Sequence, residues 1–224
     1  MQFLIDILAD CPGLFIHKEE IESSPSSWER SIEYAKLRNN IYNVLDQLNQ
    51  WEQSWETNNG KCSCEVPAPV TTPIIVNHWG RSVPAWETVI EYKSLYHANT
   101  IVMFNATVIM VQLLADQLTF SGELPRDSQK KGSFPDRKFA AGLTICRSVE
   151  YHIQSMQKGA GSFFLLFPLR MAYDAIGRSN AVIGAWLQNV LQQIQNGQSG
   201  RWATAKYLLD IKPHQSRRNS PGII

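Results

Sequence analysis

The stretch from Tyr92 to Leu118 limits what this chain can fold into more than any other, because Ser94 to Ala115 carries no charged side chain when His97 is neutral. Read as a helix, it is apolar on every side: Leu95, Ile101, Val102, Met103, Phe104, Val108, Ile109, Met110, Val111, Leu113 and Leu114 cannot share one stripe. Such a helix has to be buried, as the spine of a bundle or in a bilayer. At about 1.5 Å per residue it spans roughly 40 Å, enough to cross a whole domain. His97, Asn99, Thr100, Asn105, Thr107 and Gln112 would each need a partner inside hydrocarbon, where unsatisfied polar groups are expensive, so the expectation is a spine buried in protein and no membrane span.

The 224 residues suit one core, and we expect a single helical domain over residues 1–210 followed by a flexible basic tail over 211–224. A hydrophobic content of 44% with 18% charged residues excludes wholesale disorder. The net charge of +1 conceals an asymmetry: residues 1–91 hold 6 Lys/Arg against 13 Asp/Glu, and residues 92–224 hold 15 against 7. The halves should attract as they pack, and neither has the clustered basic residues of a nucleic-acid module. Cys11, Cys62, Cys64 and Cys146 are too scattered for a disulfide framework. One residue between Cys62 and Cys64, with no second ligand pair, does not suit structural zinc, so no metal is expected. A start at Met1-Gln2-Phe3 with Asp6 and Asp10 close behind lacks the basic, then uninterrupted apolar, pattern of a secretion signal. The expected location is intracellular, cytoplasmic or nuclear.

Along the chain, Phe3, Leu4, Ile7 and Leu8 share a helical face, and Pro12-Gly13 is expected to stop that helix. Residues 17–26 read as an acidic, serine-rich linker, with Ser27 capping a helix to about Trp55. That helix has the clearest period: Leu37, Ile41, Val44, Leu48, Trp51 and Trp55 form one narrow seam, which suits packing within the domain or a coiled-coil dimer. Residues 58–83 read as an irregular loop in which only Ile74-Ile75-Val76 looks strand-like, and Pro84 as the opening of a further helix. A polar loop is expected over 121–138, then helices over 139–156, 163–176 (its regular part beginning near Pro168 and ending at Gly177) and 182–194, and a short last one around Trp202 to Leu208. No segment alternates long enough to build a sheet. The expected class is all-α, an irregular bundle of about seven to nine helices around the long central one.

Several of these pieces resemble a known family when taken together. They are the leader ending in Pro12-Gly13-Leu14, the tryptophan-ended helix Leu37 to Trp55, the tyrosine-led spine, and above all Ala140-Ala141-Gly142-Leu143-Thr144-Ile145-Cys146-Arg147-Ser148-Val149-Glu150-Tyr151 followed by Phe163 to Ile176. They resemble the C-terminal helical, regulatory region of fungal binuclear-zinc-cluster transcription factors, over roughly residues 1–209. In that family a six-cysteine zinc cluster reads DNA, and no such cluster exists in this sequence. The resemblance therefore implies a regulatory-type helical domain without sequence-specific DNA binding of its own.

Candidate chemistry is sparse. Arg170 and Asp174 stand four apart on an apolar helix, as a packing pair or as a pair lining a pocket for an anionic or enolic ligand, with Tyr173 beside them. Arg147 and Glu150, with Tyr151 and His152, are the densest ionisable group on a core helix, read as a solvated face or as an acid–base site. His97, with Tyr96 and Asn99, begins the spine, and Asn105 follows one face further on; a lone histidine there suits core hydrogen bonding as well as catalysis. Trp79 and Trp86 flank the long loop and suit either roofing a pocket for a flat apolar ligand or docking on the domain. No phosphate loop, paired-histidine motif, nucleophile elbow or dinucleotide fingerprint occurs, so no cofactor is expected.

Two functions follow as expectations. The first is a helical regulatory-type domain that binds a small apolar metabolite or a protein partner. The alternative is a cofactor-independent isomerase or cyclase of fungal secondary metabolism on the same scaffold, with catalytic groups among Arg170, Asp174, His97, His152 and Tyr173. The enzyme requires an apolar cavity of roughly several hundred Å³ lined by at least one of Arg170, Asp174, His97 or His152.

Overall fold

A computed structural model describes residues 2–120, 134–156 and 162–196. The expected last helix around Trp202, the 211–224 tail and most of the 121–138 loop lie outside the described residues.

Helices α1 (Gln2–Ser23) and α2 (Ser27–Asn59) form an antiparallel hairpin joined by only three residues. Helix α1 does not stop at Pro12, as the sequence reading had it, but carries that proline in its interior. The reason is tertiary. Leu4, Ile7, Cys11, Leu14 and Ile21 are buried at helical spacing and continue through the proline. They face the seam of α2, where Leu37, Ile41, Val44, Leu48, Trp51 and Trp55 are all buried. An interior proline costs about 3 kcal/mol, and the buried stripe offsets it. Ser26, one residue before the expected cap, accepts from the Glu29 N–H at 3.4 Å. At the other end, Gly60 at φ 51° donates its N–H to the Glu56 carbonyl and closes α2.

The second correction concerns class. Residues between α2 and the spine form two small antiparallel ribbons, so the fold is mostly helical but not all-α. Strand β1 (Ser63–Pro67) pairs with β4 (Thr88–Tyr92), from Ser63 opposite Tyr92 to Pro67 opposite Thr88. Inside this hairpin β2 (Ile74–Val76) pairs with β3 (Ser82–Pro84). No helix opens at Pro84. The β-branched run Thr88-Val89-Ile90 extends instead, with Val89 and Tyr92 turned inward.

The spine, α3 (Leu95–Phe120), is covered by α1, α2, β4, α4 (Phe134–Met156) and α5 (Ser162–Ala172). By length and composition α3 is apolar enough to cross a bilayer, and 67% of its most apolar stretch is buried within the fold. Pro168 lies inside α5 rather than at its start. The helix then widens into a π-helical turn at Tyr173–Gly177 before α6 (Ala181–Asn196) packs back against it. Six α-helices are present among the described residues, fewer than the seven to nine expected: the Pro84 helix is a strand, and the expected last helix around Trp202 lies outside the described residues.

Candidate functional site

The polar residues of the spine do not converge on one site. Thr100, Asn105 and Thr107 each donate to a carbonyl four residues back in their own helix, at 2.7, 2.8 and 2.8 Å. That is how a polar side chain survives on a buried helix without a partner from elsewhere. His97 turns to the first turn of α3, where its Nδ1 lies 2.7 Å from Ser94 Oγ. Its ring stands edge-on to Trp55 at 5.9 Å, and the half-exposed Tyr96 tilts over Trp55 at 6.1 Å. Trp51 extends this aromatic cluster by stacking on both Trp55 and Phe104. Gln112 is buried, and its Oε1 has no hydrogen-bond partner among the described residues.

Asn99 is the exception, because it reaches another helix. Its side-chain Oδ1 is placed 3.1 Å from His152 Nε2 on α4. The other ring nitrogen, Nδ1, is 2.9 Å from the Ser148 carbonyl. That carbonyl only accepts, so Nδ1 carries the proton. In a neutral ring Nε2 then accepts, and Asn99 must turn its NH₂ toward it. Burial holds His152 below the ordinary histidine value, which favours that neutral form. Beside it Tyr92 OH and Ser148 Oγ are 2.7 Å apart, and Ser148 donates onward to the Thr144 carbonyl at 2.7 Å. The phenol is therefore the donor of that pair, and burial pushes its pKa up to about 12. Thr144, Ser148 and His152 recur every four residues on α4, forming one polar stripe between β4 and the spine.

Arg147 looks outward from the next position. Its Nε donates to the Thr88 carbonyl at 2.8 Å, and its Nη2 pairs with Glu65 at 2.8 Å. Thr88 Oγ1 also donates to Glu65 at 2.6 Å, and these two side-chain bonds hold the Glu65 carboxyl below its ordinary range. The guanidinium thus fastens the β1–β4 hairpin to α4. Glu150 does not join it; it accepts from Gln154 at 3.2 Å.

Arg170 and Asp174 do meet, at 2.8 Å, and both are largely buried. Asp174 spends its second oxygen on Arg178 at 2.7 Å, a partner the sequence reading missed. Arg178 also lies over the Tyr173 ring at 5.8 Å, and the Tyr173 hydroxyl accepts from Gln188. Of the loop tryptophans, Trp86 is buried edge-on against Trp186 of α6. Trp79 is 73% exposed at the tip of β2–β3. The tip is closed by side-chain bonds: Asn77 Oδ1 accepts from the backbone N–H of both Trp79 and Arg81.

A groove of about 180 Å³ is lined by His17, Glu20, Ile21, Ser24, Glu29, Arg30 and Glu33, at the far end of the α1–α2 hairpin. None of the expected site residues borders it. His17 bridges to Glu33 there at 3.1 Å. Among the described residues no group of three His, Cys, Asp or Glu side chains is placed to hold a metal ion. Burial pushes the Cys146 thiol up, and burial with Asp10 lifts Cys11 to about 11, so neither offers a thiolate near neutral pH.

Ser148 and Tyr92 are the residues of the buried network that the sequence reading missed. The four-residue spacing of Thr144, Ser148 and His152 was visible in the chain, but the Tyr92–Ser148 bond spans 56 positions and had no local signal. Comparison with family models, curated proteins and solved structures finds no match.

Proposed function

We propose that the chain is a helical regulatory-type domain that binds an apolar small molecule or a protein partner and does no chemistry on it. One observation carries this reading: among the described residues, His152, Arg147 and Asp174, groups that catalysis would call on, are occupied within the fold. His152 is bonded at both ring nitrogens, Arg147 is held by Thr88 and Glu65, and Asp174 is shared between two arginines. A general base needs a free lone pair aimed at substrate, and a nucleophile needs an activating base. The hydrogen-bonded β2–β3 tip that carries Trp79 into solvent supports a role in contact rather than turnover. The resemblance to a regulatory helical region points the same way.

The test is incubation with a panel of apolar, oxygenated metabolites, read by thermal shift and by product analysis. Saturation at about a hundredfold over Kd adds about 2.7 kcal/mol, which for a chain of this size is roughly 5–10 °C in Tm. A shift of this kind without product supports binding. Product formation that disappears in His152→Gln or Arg170→Met would establish the isomerase or cyclase instead.

A further inference from the structure

The stripe on α4 places an imidazole with no exposed surface at the junction of three elements, and its bonding pattern has two solutions. In one, Asn99 presents its NH₂ to a neutral ring. In the other, Asn99 turns its carbonyl oxygen to Nε2, and a doubly protonated ring donates at both nitrogens, to Asn99 and to the Ser148 carbonyl. The hydrogen bonds survive either way, so the ring can take up a proton where it stands. Among the described residues, neither hydrogen-bond partner of the ring supplies an opposite charge. The spine contributes Asn99 and, two residues earlier, His97, which is turned to Ser94 and Trp55. Strand β4 contributes the Tyr92 phenol, which burial keeps protonated. Helix α4 itself contributes Tyr151, edge-on at 6.1 Å, while Cys146 is a buried, protonated thiol. Arg147 and Glu150 are turned to other partners, and the charges described on α5 and the π-helical turn, Arg170 and Asp174, pair with each other. Among the described residues, the two groups bonded to the ring, Asn99 and the Ser148 carbonyl, are both uncharged.

We propose that His152 is an acid-sensitive latch: proton uptake at Nε2 puts an uncompensated charge into the joint between α3, α4 and β4 and opens it. A buried charge without a partner is strongly disfavoured, and opening the joint brings water to it. The sign follows from the burial. The folded ring binds its proton less readily than the free side chain, whose ordinary value is 6.5. As pH falls below that value, the open form takes up the proton first, and the closed form loses stability until the closed ring itself titrates. The joint also holds the β1–β4 hairpin, through Tyr92 to Ser148, so the opening reaches β4 and its partner β1.

The experiment is hydrogen exchange on the whole chain between about pH 7.5 and about pH 5.5, corrected for intrinsic exchange, with side-chain nitrogen NMR of the histidines. The expected result is an Nδ1–H ring at the upper pH and an opening equilibrium that grows by up to about tenfold per pH unit below 6.5. This growth should appear at the first turns of α3, the last turns of α4 and β4, and not in the α1–α2 hairpin. His152→Gln should abolish the growth. Asn99→Asp, which sets a carboxylate beside Nε2 and compensates the charge, should suppress it as well. Full protection of α3 and α4 in the wild type at the lower pH overturns the proposal. So does an acid opening that persists in either variant, and Asn99→Asp serves alone should His152→Gln not fold.

Discussion

At the scale of single residues, the structure separates side chains that hold the fold from those that face outward. Tyr92→Phe keeps the ring edge-on against Tyr151 and removes only the phenolic donor to Ser148, whose own bond to the Thr144 carbonyl remains. The expected loss is about 1 kcal/mol, measured as a shift in the denaturant midpoint with unchanged slope. Gly184 is a harsher position. A Cβ there would stand 2.5 Å from the Gly177 carbonyl oxygen, which is backbone and cannot rotate away. Gly184→Ala should therefore lower stability by about 1–3 kcal/mol, although alanine is the better helix former. Trp79→Ser has the opposite profile. With 73% of its surface in solvent, the side chain contributes little to folding, so thermal unfolding should show Tm moving by less than about 2 °C.

At the scale of elements, the instructive cases are a helix that runs through its stop signal and a set of strands that lack their start signal. Pro12-Gly13 is an end signal by local rules, yet the spacing of Leu4, Ile7, Cys11, Leu14 and Ile21 keeps α1 helical against the seam of α2. Both Pro12 and Gly13 are exposed, and nothing lies within 4 Å of a Cβ built on Gly13. Replacing Gly13 by Ala should then raise stability by about 1 kcal/mol, read by thermal unfolding, because propensity is the only term that changes. Conversely, β4 buries Val89 and Tyr92, three apart, so no alternation marks it as a strand. Its partner β1 is almost wholly exposed, and the pairing is made by backbone bonds and by Arg147 reaching across from α4.

At the scale of the whole molecule, the spine is a common wall against which the α1–α2 hairpin, the ribbons and α4–α5 are assembled, and the charge asymmetry of the chain reappears in those joints. Arg147 and Arg137 of the basic half meet Glu65 and Glu52 of the acidic half, tying α4 to β1 and to α2, while Lys138 pairs with Asp116 of its own half across α4 and α3. Arg147→Met should release the β1–β4 hairpin without unfolding the helices. Hydrogen exchange in residues 63–67 and 88–92 would increase while α3 stays protected.

The sequence by itself determined that α3 must be buried and that α2 presents one seam, since an all-round apolar helix and a single apolar stripe each have few ways to escape water. It also determined that Arg170 and Asp174 share a helix face, because four-residue spacing brings such a pair together. What only the tertiary structure decided were contacts between distant residues. Pro12 inside a helix, the two ribbons, Arg178 on Asp174 and the Tyr92–Ser148 and Asn99–His152 bonds all depend on neighbours the local chain cannot announce. The reason is that propensity and spacing act over one or two turns of chain, whereas the burial that overrides a proline or saturates a histidine is set by which elements meet.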